Sequence, residues 1–190
     1  MEKELPNTAA FQDEFTSSLL DSTEEVEEGH YLLESDTGGY SMLWPKNAIN
    51  EGPPFYQRTK DSFEKIIFNE RNEKENYRYS FSTTYSTYGE SAIESSLNLL
   101  SSSVGYYGEY EKIETEKTRI YYAKYEDPMK HSTAYVYFGY ILSKESQKGL
   151  EYIYTAHCID KSKPSCDIDV EKEEAKALHY MKSVKFNKDE

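Results

Sequence analysis

The chain of 190 residues holds only two cysteines, four histidines, one tryptophan and nine glycines, and each shortage closes a class of function. His30, His131, His157 and His179 share no metal-ligand spacing, and His157 beside Cys158 would point to the opposite face of a strand, so no zinc centre is expected. The glycines form neither a phosphate-binding loop nor a dinucleotide fingerprint, so no cofactor is expected. No apolar run approaches the roughly 20 residues of a membrane span, and no charged-then-apolar leader is visible. Positive charge is scarce as well: 22 Lys and Arg face 35 Asp and Glu, a net charge of −13. With nothing basic clustered, binding to nucleic acid or adsorption to anionic lipid by charge alone is not expected.

Three fragments imitate functional motifs and fail on detail. Leu5-Pro6-Asn7-Thr8-Ala9 has the look of a sortase substrate, but it stands far from any C-terminal apolar tail. Gly89-Glu90-Ser91-Ala92-Ile93 follows a strand and opens a helix as a nucleophile elbow would, yet Ile93 replaces the second glycine. Asp167-Ile168-Asp169-Val170-Glu171 starts like a calcium loop and lacks the turn glycine and distal glutamate, so its acids read as helix-start residues.

What the chain has in quantity is acid and tyrosine. Residues 1–29 hold nine acids against Lys3 alone, and their few apolar positions (Phe11, Phe15, Leu19, Leu20) show no core-forming period. They read as an acidic flexible tail, with a short docking helix over 11–20 as the alternative. Residues 30–190 read as a single α+β domain. His30–Glu34 and Tyr40–Trp44 flank Ser35-Asp36-Thr37-Gly38-Gly39, a hairpin signal. Phe63–Glu70 reads as a strand. Tyr77, Tyr79, Phe81, Thr83 and Tyr85 alternate with Arg78, Ser80, Ser82 and Thr84, a period of two that marks a strand with one covered face.

The period then changes. Ile93, Leu97 and Leu100 predict a helix over 90–101. Strands follow at 105–115, 118–125, 131–142 and 150–158, with turns at Asp127-Pro128 and Ser143–Gly149. A second helix spans 169–185, with Ala177, Leu178, Met181, Val184 and Lys185 as its buried stripe and acids leading its first turn, as the helix dipole favours. The sum is an antiparallel sheet of six to seven strands flanked by helices. Cys158 and Cys166, the only cysteines, close a short polar loop between the last strand and the last helix, which suits a disulfide and an oxidising compartment.

The 19 tyrosines are the compositional oddity. Leu, Ile, Val or Phe would fill a core without hydroxyls to satisfy, so repeated Tyr suggests partly exposed rings able to stack on sugars or form a protein interface. Tyr106, Tyr107, Tyr110, Tyr121, Tyr152 and Tyr154 are the candidate ligand-binding residues. The other reading makes them half-buried sheet positions with wet hydroxyls.

Gly39-Tyr40-Ser41-Met42-Leu43-Trp44-Pro45-Lys46-Asn47-Ala48 resembles the start of PsbP/Mog1-like domains, where a glycine-led strand runs into an aromatic-Pro-Lys turn. The order of elements is also similar: early hairpin, strand meander, closing helix. The resemblance implies a helix-flanked antiparallel sheet. It further implies a Firmicutes envelope lipoprotein, held to the membrane by a lipidated cysteine ahead of a polar linker. No catalytic residues come with it. The resulting expectation is a non-enzymatic binding or scaffolding lipoprotein on the extracellular face of a Gram-positive membrane, its partner another envelope protein or a wall polymer. Two rivals stand beside it. One is an acidic intracellular interaction or immunity-type protein, which free thiols would favour. The other is a hydrolase with unfamiliar motifs, which a deep pocket of converging polar groups would favour.

Overall fold

A computed structural model describes residues 5–129, 132–160 and 167–188; His131 and Cys166 lie outside them. The frame is a seven-stranded antiparallel sheet of β3 (Tyr56–Thr59), β4 (Phe63–Asn72), β5 (Tyr77–Ser86), β6 (Glu111–Glu114), β7 (Thr118–Met129), β8 (Ser132–Ser143) and β9 (Gly149–Cys158), in the order β3-β4-β5-β9-β8-β7-β6. A smaller sheet of β1 (His30–Glu34), β2 (Tyr40–Pro45) and β10 (Lys185–Phe186) packs on one face. Beside it lie the short helices α1 (Ala9–Gln12) and α2 (Glu14–Ser18) and the closing helix α4 (Val170–Ser183); α3 (Ile93–Val104) crosses the other face, over β8 and β9. The α+β class, the antiparallel meander and the flanking helices are as the sequence implies.

The core follows from the alternation of β5. Tyr79, Phe81, Thr83 and Tyr85 are buried on the inner face. Phe81 stacks on Phe68 at 4.5 Å, and Phe68 on Trp44 at 4.1 Å, so one aromatic column joins the two sheets. Such pairs add about 0.5–1.5 kcal/mol each beyond simple burial. Every residue of β2 is buried, and the Trp44 Nε1–H donates to the Ala48 carbonyl at 3.0 Å, which closes the Pro45–Ala48 turn. Gly39 is required where β2 begins: a Cβ there would lie 2.2 Å from the Tyr85 ring, which stacks on Tyr40. The ten-residue segment that resembles PsbP/Mog1-like domains is therefore the strand that couples the two sheets.

Several expectations need correction. Ala10, Phe11, Thr16 and Leu19 are buried, so the packed domain reaches back into residues 1–29. Phe11 meets the Tyr31 ring edge-on at 4.8 Å, and Thr16 exchanges hydrogen bonds with the Asn50 backbone. Two single-turn helices are too short to show a helical period, which is why the segment reads as a tail. Asp127-Pro128 is not a turn; both residues pair within β7, opposite Ala134 and Thr133. β6 pairs only with residues 119–122, so this end of β7 is a free edge where proline's missing N–H costs nothing. In 105–115 only Glu111–Glu114 is strand, because Gly105, at φ 72°, caps α3 and turns the chain back over it. Helix α4 stops at Ser183: Val184 is extended, and Lys185 is an exposed strand residue opposite Ser41. Its buried stripe is Glu173, Ala177, Tyr180 and Met181.

Candidate binding cleft

The candidate tyrosines divide between the two faces of the large sheet. Tyr152 and Tyr154 are both 0% exposed on the inner face of β9, so they form no part of a contact surface. Alternation along β9 sends them beneath α4 and the small sheet, which the sequence could not show to be there. Tyr106, Tyr110 and Tyr121 are half-buried on the outer face. There Tyr106 and Tyr110 lie 5.9 Å apart and both pack edge-on against Phe138, while Tyr121 joins the same cluster and carries Lys112 over its ring at 5.4 Å. Tyr107 is fully exposed and stands apart. Ser91 is exposed beside α3, its hydroxyl spent on the Tyr88 carbonyl.

Buried tyrosines on both faces use their hydroxyls to reach the rim of the core. On the inner face Tyr137 donates to the Val170 carbonyl and Tyr122 to Glu174 at 2.9 Å, and on the outer face Tyr140 donates to the Gly89 carbonyl. This is why Tyr replaces Phe so often: the ring fills the interior and the hydroxyl ties the covering helix or loop to it.

The densest such network lines an open cleft of about 500 Å³ between the β4–β5 hairpin and the first half of α4. Its inner wall is Tyr77 and Tyr79, its floor Glu70 and Glu173, and its rim Glu75, Asp167, Asp169 and Lys172. Glu173 is only 7% exposed on α4 and accepts from Tyr77 at 2.6 Å and also from Tyr154. Tyr79 donates to Glu70. Burial, then the bond to Glu173, pushes the Tyr77 hydroxyl far above the usual phenol range, so it stays a donor. Lys176 projects from α4 into this setting with its ammonium 3.6 Å from the centre of the Tyr79 ring and 5.6 Å from that of Tyr77. Burial holds its pKa below the usual lysine value, and Glu173 and Glu70 pull it back up. Rings and carboxylates thus form a cage holding an alkylammonium. Asp169 caps α4 by accepting from the Lys172 N–H at 3.0 Å, the helix-start role expected of it. Sequence reading placed Glu70 at a strand end and Glu173 in the first turn of the last helix, and offered neither of them nor Lys176 as a site residue; the one signal was the i, i+3 spacing of Glu173 and Lys176 on α4.

With this geometry in view, the relatives become informative. A family model described as "Putative lipoprotein YvcA" matches residues 6–185. The chain belongs to the YvcA family. It is 36% identical over 196 residues to the "Putative lipoprotein YvcA" of Bacillus subtilis (strain 168), which spans 97% of this chain and 79% of that protein. The YvcA match begins just ahead of α1, so the docked N-terminal segment is part of what the family shares. A solved structure from Bacteroides thetaiotaomicron VPI-5482 aligns with 86% of the chain at 11% identity and a TM-score of 0.47, and the chain spans half of its length. Among the described residues no helix is long and apolar enough to cross a membrane, and no group of His, Cys, Asp and Glu is placed to hold a metal ion.

Proposed function

We propose that this chain is the folded part of a membrane-anchored envelope lipoprotein, displayed on the outer face, which binds a partner rather than transforming a substrate. The family description supports a lipid anchor, carried on the N-terminal side of the domain. The reading of the cleft rests on one observation: Lys176 already occupies an aromatic and carboxylate cage, so this surface favours alkylammonium groups. The open part beside it continues the same chemistry, with Glu75 and Asp167 exposed at the rim. The proposed ligand is an amine-bearing segment of an envelope protein or wall polymer. Binding is favoured over catalysis because the polar groups of the floor are bonded to one another: both tyrosine hydroxyls are committed as donors to the carboxylates.

A short lysine peptide titrated into labelled protein and followed by NMR tests the cleft. Shifts should concentrate at Tyr77, Lys172 and Glu173 and weaken in a Glu75→Gln, Asp167→Asn double variant, whose changes are confined to exposed positions. Shifts scattered over the acidic surface, or unchanged in that variant, would remove the cleft from consideration. Location is tested separately, by fractionating cells and treating protoplasts with external protease. The protein should follow the membrane and be degraded from outside.

A further inference from the structure

The other end of the strands carries a second cleft, about 590 Å³ in volume, whose chemistry differs from that of the ammonium cage. It opens where the connection from β8 to β9 meets the turn between β5 and α3, at the far end of β5 and β9 from Tyr77. The two connections are fixed to each other. Gly89, at φ 49°, packs so closely that a Cβ there would lie 2.8 Å from the Gln147 backbone, and the Tyr140 hydroxyl holds the Gly89 carbonyl at 2.9 Å. The Ser143 hydroxyl accepts from the Glu145 and Ser146 N–H groups, both at 3.1 Å. These contacts set the positions of Glu90, Glu145 and Gln147, and Arg119 and Lys144 complete the charged lining.

We infer that this cleft binds an uncharged, hydroxyl-rich ligand, a stretch of neutral polysaccharide. The charges that line it cancel, Glu90 and Glu145 against Arg119 and Lys144. Both bases are also engaged by Glu114, at 2.8 Å from Arg119 Nε and 2.6 Å from Lys144 Nζ. An anion would compete with a carboxylate already in place, and a cation would meet two bases; a neutral hydroxyl meets neither penalty. Arg119 Nη1 stands 3.8 Å from the Glu90 carboxylate, beyond hydrogen-bond range. One hydroxyl can accept from the guanidinium and donate to the carboxylate at once, which an ionised carboxylate or an ammonium group cannot do. The exposed Gln147 amide offers a donor and an acceptor on one side chain. Apolar contact comes from the turn itself: Gly89–Ala92, which presents Glu90, follows directly on Tyr88, whose ring is 68% exposed and suits the C–H face of a sugar. Because the walls are already fixed, binding does not have to order them, which favours a ligand held by neutral contacts alone.

Titration of labelled protein with two neutral oligosaccharides, N-acetylchitotriose and maltotriose, reads this site by NMR. With at least one of them the amides of Glu90, Ser146 and Gln147 and the side-chain Nε–Hε signal of Arg119 should shift saturably. Tyr88→Ala and Glu90→Ala, both at exposed positions, should each weaken binding by about tenfold, as loss of one good contact implies. Should either variant lose its fold, Gln147→Ala on the other connection gives the same reading. Affinity should not change with added salt, as an uncharged ligand requires. The inference is overturned by the absence of a saturable shift with both oligosaccharides, by full affinity in a folded variant, by affinity that falls with salt, or by tighter binding of the anionic trigalacturonate than of either neutral sugar.

Discussion

Tyr152 and Tyr154 sit two residues apart on one strand face, equally buried, yet their hydroxyls have opposite fates. That of Tyr154 donates to Glu173; that of Tyr152 is buried with no partner. A buried polar group left unpaired costs about 1–3 kcal/mol, whereas a hydrogen bond to a charged group contributes about 1.5–3 kcal/mol. Tyr152→Phe should therefore raise stability by up to about 1 kcal/mol, with some of the gain lost to repacking, while Tyr154→Phe should lower it by about 1.5–3 kcal/mol. Paired chemical denaturation of the two variants checks the contrast, and equal effects would mean that the hydroxyls do not matter. Nothing in the sequence separates these residues. Alternation along β9 was readable, but which face α4 would cover was not, and Tyr tolerates both environments. Gly39 was different: its place at the head of an apolar strand already marked it, and Gly39→Ala should be strongly destabilising because Tyr85 fills the space a Cβ needs.

Among the elements, the N-terminal segment departs most from its sequence. Phe11 is buried against Tyr31, so Phe11→Ala should cost about 2–4 kcal/mol, near the lower range for a core phenylalanine because the site lies at the edge of the core. A change near zero by thermal melting would return the segment to the status of a tail. The junction with β1 also carries a pH dependence. The His30 Nδ1–H donates to the Glu28 carbonyl at 2.9 Å, so Nε2 accepts from the Tyr180 hydroxyl at 2.9 Å. Burial lowers the His30 pKa, the Glu28 bond and Glu27 oppose that, and His179 and Lys176 add to it. With the folded value below the unfolded one, this stabilisation is complete above the unfolded pKa of about 6.5 and is lost as pH falls through the folded value. Wild type should lose more stability than His30→Gln between pH 7 and pH 5. β5, α3 and α4 were legible because each repeats a period over several residues, and β1 and β2 because glycines mark the turn between them. β3 and β10 were not, having four and two residues respectively. The cleft stayed hidden for a related reason: it joins Glu70 to Glu173 and Lys176, roughly a hundred positions apart, and only tertiary packing brings them together.

For the molecule as a whole, the expected staple between Cys158 and Cys166 links architecture to compartment. Cys158 ends β9, which lies between β5 and β8 at the centre of the large sheet. The end of that strand is already clamped: Ile159 N–H donates to the Asn76 carbonyl, Asp160 N–H donates to Asn76 Oδ1 at 2.7 Å, and Asn76 Nδ2 donates back to the Asp160 carbonyl. Among the described residues no cysteine is free. A disulfide here would close the connection to α4, and α4 forms one wall of the cleft. On the loop-entropy model a bridge across so short a loop contributes about 2–3 kcal/mol. Protein from an oxidising host should weigh two hydrogens less than its reduced form, and reduction should lower the melting temperature while broadening signals at Asp169, Lys172 and Glu173 before those of β5 and β8. The order matters, because a staple beside the cleft should loosen the helix start first and the central strands last. Alkylation of both thiols in native, unreduced protein would remove the staple and the argument for an oxidising compartment with it. The acidic intracellular interaction protein would then be the better reading. The ammonium cage depends on neither outcome, since Lys176, Tyr79 and Glu70 are held by α4 and the sheet rather than by the loop.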